Sequence, residues 1–146
     1  MVFGILREKN IDKEIKDILR TLNQAKIKLS IAWNFKYNLK RKKKFLFSVT
    51  VLTALHGVPL TSDSMGDLYI NDARKDVKSV QKKLRKIFDN ARTKPYFIKI
   101  RDPLEEAMVK ADKLVELFNK GDLENVAKYI EELENNMRLV LFEITS

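Results

Sequence analysis

The sequence predicts a mainly α-helical protein, a single-domain bundle of four to five helices. Apolar residues recur every three or four positions through most of the chain, as they do along one face of a helix. Helix start and stop signals separate these segments, including Asp102-Pro103 and Gly121-Asp122. The alternative is an α+β fold with a long β-hairpin at 26–55.

The first predicted helix begins near Asn10 or Asp12, either of which can cap it, and runs at least to Gln24. Its apolar face consists of Ile11, Ile15, Ile18, Leu19 and Leu22. This spacing is amphipathic and predicts a helix with one buried side.

Residues 26–55 have two interpretations. From Ile27 to Leu39 every odd position is apolar, which is typical of a half-buried strand, and the β-branched and aromatic run 45–52 can supply its partner strand. The helical interpretation extends the first apolar stripe through Ala25, Leu29 and Ala32. The two remain open at this point.

A long basic helix is predicted over residues 71–92, capped by Asn71 or Asp72. Its apolar stripe is Ala73, Val77, Val80, Leu84, Ile87, Phe88 and Ala91. Much of the opposite side is basic, with Arg74, Lys75, Lys78, Lys82, Arg85 and Lys86.

Pro95 predicts a break after this helix, followed by a short extended segment at 96–100. Asp102 at the cap and Pro103 at the first position then predict a new helix start.

Gly121 ends that helix and Asp122 caps the next one. The short connection at 119–122 therefore predicts an antiparallel helical hairpin.

Composition favours one domain spanning 1–146, because 45% of the 146 residues are apolar, enough for a real core. The chain has no Cys, one His and only isolated glycines. We therefore expect no catalytic residues, no metal site and no cofactor, and a protein that is not an enzyme. No apolar run reaches the roughly 20 residues of a membrane span, and a secretory signal is not evident, so we expect a cytoplasmic protein.

The net charge of +9 is unevenly distributed. Residues 1–101 hold 24 Lys and Arg against 9 Asp and Glu, whereas 102–146 hold 5 against 11. The chain thus has a basic part at 1–101 and an acidic helical hairpin at 102–146. The densest basic run is Lys40, Arg41, Lys42, Lys43 and Lys44. This run and the basic side of the 71–92 helix suit a polyanionic partner.

The order of elements between 51 and 100 resembles that of helix-turn-helix and winged-helix proteins. A short segment at 51–55 is followed by a Gly-Pro break, a second segment at 60–69, a turn at 70–72 and the basic helix. The extended 96–100 segment takes the place of a wing strand. The resemblance implies DNA binding in which the basic helix enters the major groove, presenting the residues near its start, Arg74, Lys75 and Lys78.

The sequence therefore predicts a small non-enzymatic nucleic-acid-binding protein that contacts mainly the phosphate backbone of DNA or RNA. The acidic helices at 103–137 would face away and could form a homo-oligomer. The alternative is a structural or protein–protein interaction protein, an assembly subunit or adaptor, without nucleic-acid binding.

Overall fold

A computed structural model describes residues 2–38 and 62–145 of the chain, with side chains at 11–36 and 64–145. This part of the chain contains four α-helices and no strand. They are α1 (Val2–Trp33), α2 (Ser62–Ala91), α3 (Phe97–Lys120) and α4 (Leu123–Thr145), and a π-helical turn, Asn34–Asn38, continues α1. The prediction of a mainly α-helical bundle is confirmed.

The helices form a closed ring in which each packs against two neighbours: α1 on α2, α2 on α3, α3 on α4, and α4 on α1. Polar contacts fix their directions. Between α1 and α2, the Nζ–Oδ2 distances are 2.8 Å for Lys28–Asp76 and 2.6 Å for Lys83–Asp17. Asp17 precedes Lys28 in α1, whereas its partner Lys83 follows Asp76 in α2, so the two helices run in opposite directions.

The Arg74–Phe118 and Arg85–Asp112 contacts show the same for α2 and α3, and a short connection at Gly121-Asp122 reverses the chain between α3 and α4. The bundle is therefore antiparallel, up-down-up-down.

One hydrophobic core runs along the axis of this bundle and receives a stripe from every helix. Its fully buried large side chains include Ile15, Ile18 and Leu22 of α1, Leu84 and Ile87 of α2, Leu104, Leu114 and Phe118 of α3, and Ile130, Leu133 and Met137 of α4. Each stripe follows the three-and-four spacing read from the sequence.

Residues 26–38 are helical, so the first strand of the alternative β-hairpin does not form. Ala25, Leu29 and Ala32 are buried in the core, whereas Ile27 on the opposite side is 51% exposed. The alternating apolar residues are compatible with a strand, but packing against α2 and α4 favours the helix, which buries Ala25, Leu29 and Ala32 together. The remainder of the 26–55 prediction, from residue 39 onward, lies outside the described residues.

Gly66 allows α1 and α2 to approach closely near the π-helical turn. A Cβ atom at Gly66 would lie 2.8 Å from Cγ of Lys36, which crosses over it to reach Asp67 with an Nζ–Oδ1 distance of 2.6 Å. Beside this contact, the rings of Phe35 and Tyr69 stack with centroids 5.8 Å apart. Contact between side chains therefore holds the two helices together at this end of the bundle.

The predicted turn at 70–72 and the caps Asn71 and Asp72 are wrong. α2 begins at Ser62 and continues through these residues without interruption. Gly66, Ile70 and Ala73 are buried on one side, so the core-facing stripe begins earlier than the turn-forming residues suggest. The helix-turn-helix order is therefore not present in the described residues.

The predicted extended segment at 96–100 is also wrong, because α3 begins at Phe97 and encloses Pro103 in its interior. The Phe97 ring packs edge-on against Phe88, with centroids 5.3 Å apart, and Ile100 is completely buried. These contacts keep the segment helical, although Pro103 has no backbone N–H to donate to the helix. No wing strand exists in this position.

The antiparallel hairpin of α3 and α4 is confirmed. Gly121 adopts the left-handed conformation at φ 76°, and its N–H donates to the Phe118 carbonyl. The N–H of Asp122 donates to the Leu117 carbonyl, which completes a Schellman motif. Asp122 then caps α4 by accepting from the Asn125 N–H at 3.4 Å.

Candidate nucleic-acid interface

The outward side of α2 carries a row of exposed basic side chains. α2 lies between α1 and α3, so its remaining free side faces solvent. Five of the predicted binding residues are exposed there: Lys75, Lys78, Lys82, Arg85 and Lys86. We call these five residues the α2 basic face. The exposed carboxylates of Asp72 and Asp89 lie near its two ends.

Arg74 is placed differently from the other predicted residues of α2. It is partly buried, and its Nη2 donates to the Phe118 carbonyl at 3.3 Å. That carbonyl lies in the last turn of α3, where the helix dipole favours a positive charge. Arg74 therefore joins α2 to the end of α3, with its guanidinium between two helices.

Arg85 shares its environment with a carboxylate. Its Nη2 lies 3.4 Å from Oδ1 of Asp112 on α3, and Gln81 also donates to that oxygen. Both charged side chains are more than half exposed, so the pair is weak and competes with solvent. Lys75, Lys78, Lys82 and Lys86 thus contribute most of the positive potential of the α2 basic face.

Two basic residues of α1 extend this surface, and neither is among the binding residues predicted from sequence. Lys13 and Arg20 line a groove together with Glu14 and Asp17. An adjoining groove of roughly 160 Å³ is lined by the same two carboxylates with Lys83 and Lys86 of α2. Lys13 and Arg20 therefore lie across this shared floor from α2. The polar side of α1 in the sequence contains the signal, but pairing of α1 with α2 is a tertiary feature.

The floor of the groove is an ion pair. The hydrogen bond from Lys83 and its positive charge hold the pKa of Asp17 below the ordinary value of 3.8. A depressed carboxyl pKa contributes stability above the unfolded-state pKa, and this contribution disappears as the pH falls through the folded-state pKa. The contribution is small because both side chains are substantially exposed.

We expect Asp17 to titrate below 3.8 in the folded protein, because Lys83 favours its charged form. The measurement is a carboxyl ¹³C NMR titration. In Lys83→Met the midpoint should rise, whereas in Lys16→Met, which removes a cation paired with Asp12, the midpoint of Asp17 should stay in place. An unchanged midpoint in Lys83→Met would contradict the assignment of the shift to this pair.

Of the described helices, α4 is the one with a negative net charge. This helix holds five acidic and two basic residues, whereas α3 holds five of each. α4 lies diagonally across the bundle from α2, so the most acidic helix and the α2 basic face are on opposite sides. The predicted block Lys40–Lys44 lies outside the described residues.

Within residues 11–36 and 64–145, no three His, Cys, Asp or Glu side chains are grouped as metal ligands would be. Of the described helices, none combines the length and apolar character needed to cross a membrane. Comparisons with protein-family models, curated proteins and solved structures find no match to this chain.

Proposed function

We propose that this protein is a small non-enzymatic nucleic-acid-binding protein that contacts the phosphate backbone. The single observation that carries the proposal is the α2 basic face, five exposed Lys and Arg side chains on one side of a rigid helix. Lys13 and Arg20 of α1 enlarge it across the shared groove. Lysine ammonium groups at such spacing bind phosphates without reading base sequence.

The charge distribution supports one binding orientation. The acidic helix α4 is diagonal to α2, so a polyanion that approaches α4 is repelled and one that approaches α2 is attracted. The predicted contacts at Lys40–Lys44 remain part of the proposal as a prediction from sequence, in addition to the described surface.

The double charge reversal Lys82→Glu with Lys86→Glu tests the α2 basic face. Each lost phosphate contact lowers the slope of log K against log salt by about 1, so two reversals should reduce the slope by about 2. At 0.1 M salt this corresponds to an affinity loss of roughly 100-fold. Fluorescence anisotropy with labelled DNA and RNA oligonucleotides over a salt series gives both values.

The matched control is Lys99→Glu with Lys128→Glu. Both lysines are exposed, they lie on α3 and α4, and their reversal lowers the net charge by the same amount. This control should bind nearly as well as the unmodified protein, with an unchanged helical circular dichroism spectrum in both variants. Equal losses in the two variants would mean that net charge alone governs binding, and equal retention would contradict a role for α2.

The alternative is an assembly subunit or adaptor, and exposed apolar side chains favour it. Four such residues lie on α3 and α4, namely Ile98, Val109, Leu139 and Phe142. Their positions suit contact with another protein, including a second copy joined through α3 and α4. Of the four, only Val109 lies within the 103–137 range predicted for such a contact. Self-association by light scattering at low and high salt, without binding to any oligonucleotide, would favour this alternative over the proposed function.

A further inference from the structure

We infer that the nucleic acid bound by this surface is a duplex, and that the protein contacts its two phosphate strands from outside the grooves. The inference rests on the proposed function and names its substrate class. We choose a duplex as the ligand because its two negatively charged strands complement two parallel rows of basic side chains. Three features of the described residues lead to it.

The first feature is that α2 has no free flanks. On one side, Lys83 and Asp76 are bound to Asp17 and Lys28 of α1. On the other side, Gln81 donates to Asp112 of α3. A helix is about 10–12 Å across and the major groove is about 12 Å wide, so there is room for one helix only. Because α1 and α3 are packed on both sides of α2, they prevent α2 from entering the groove deeply. α2 therefore reaches phosphates and not base edges.

The second feature is that the basic groups form two rows on rigid helices. The row on α2 runs from Lys75 to Lys86, which corresponds to a helical rise of about 16 Å. The row on α1 runs from Lys13 to Arg20, about 10 Å along a neighbouring axis some 8–10 Å away. Two fixed rows of cations contact the phosphates of both strands of a duplex, whereas a flexible single strand contacts only one of the rows.

The third feature is the chemistry between the rows. The shared floor carries Glu14 and the Asp17–Lys83 ion pair, so the floor itself has no excess positive charge to attract a phosphate. Phosphates therefore bind at the edges of the groove, to Lys13, Arg20 and Lys86. The groove itself provides no enclosed binding site for a single nucleotide. Nearby rings on α2 are already engaged in packing, Tyr69 on Phe35 and Phe88 on Phe97, so they do not offer stacking platforms for unpaired bases.

The test compares a 5′-labelled DNA duplex of about 20 base pairs, an RNA duplex of the same length, and the separate single strands of each. With about seven phosphate contacts on a duplex, five from α2 and two from α1, the salt slope is about −6.3. With about five contacts from one row on a single strand it is about −3.5, which corresponds to roughly 600-fold tighter duplex binding at 0.1 M salt. Each duplex should bind more tightly than its own strands. A duplex of shuffled sequence should bind within about threefold, and ATP should not compete.

The row on α1 is tested by Lys13→Glu with Arg20→Glu, with Lys99→Glu/Lys128→Glu as the control of equal charge. The α1 variant should bind duplex roughly 100-fold more weakly at 0.1 M salt, because two contacts are lost. The inference is overturned if single strands bind as tightly as duplexes, if ATP competes, or if the α1 reversal leaves duplex binding unchanged while Lys82→Glu/Lys86→Glu weakens it. If the unmodified protein binds no oligonucleotide at all, the proposed function itself is wrong.

Discussion

Replacing Phe118 by alanine is expected to lower the free energy of unfolding by about 4 kcal/mol. The Phe118 ring is 1% exposed and is among the largest fully buried side chains of the core. Its removal loses the burial of an aromatic ring and leaves a cavity that well-packed helices fill only in part. Urea denaturation followed by circular dichroism measures the change, which should appear as a lower midpoint at an unchanged slope.

The matched control is Phe142→Ala, the same chemical change on α4. Phe142 is 64% exposed, so its ring loses little burial and creates no cavity. We expect a change below about 0.5 kcal/mol, since alanine also has the higher helix propensity. Similar losses for the two variants would contradict the orientation of one of these helices in the bundle.

The second large effect is expected at the contact between α1 and α4. The Glu134 carboxylate is 3% exposed, and the ammonium of Lys26 lies 2.8 Å from its Oε1, although it is not oriented for a hydrogen bond with that oxygen. Arg138 donates to Oε2 at 3.3 Å. Lys26→Met leaves a buried carboxylate with this single described cation beside it. We expect a loss of about 2 kcal/mol, less than for a fully buried pair because Lys26 is partly exposed and Arg138 remains.

A double-mutant cycle separates the charge from the packing. In Lys26→Met/Glu134→Leu the buried charge is gone and an apolar side chain fills its place, so most of the lost stability should return. Lys16→Met serves as the control, because it breaks an exposed pair with Asp12 and should cost less than about 0.5 kcal/mol. If the double variant were no more stable than Lys26→Met, the loss would come from packing of the Lys26 side chain and not from the buried carboxylate that keeps only Arg138, among the described residues, beside it.

The local signals in the sequence were sufficient for the hairpin connection between α3 and α4. Gly121 ends α3 because only a residue without Cβ adopts a positive φ there at little cost, and Asp122 caps α4 because its carboxylate accepts a free N–H of the first turn. These interactions join residues that are close in the chain, so their geometry follows from residue type. Each helix's buried face was readable for the same reason, since helical periodicity alone aligns residues such as Leu114 and Phe118.

The same local signals were misleading where long-range packing opposed them. Asp102-Pro103 has the form of a helix start, and yet α3 begins earlier because Ile100 is buried in the core and Phe97 packs on Phe88. The turn-forming residues at 70–72 likewise lie within α2, because Ile70 and Ala73 face the core. Burial of apolar side chains outweighs helix propensities, which cost about 1 kcal/mol or less for most residues and about 3 kcal/mol for a proline such as Pro103.

The sequence by itself determined the helical character of this protein, its core stripes and the basic side of α2, because each depends on periodicity within one segment. Only the tertiary structure decided which helices are neighbours. It paired α1 with α2, which placed Lys13 and Arg20 across the groove from Lys86 and bound Lys83 to Asp17. It also placed Arg74 against the end of α3, within an interface. The Arg74–Phe118 and Lys83–Asp17 contacts join residues 44 and 66 positions apart, and no pattern within one segment records them.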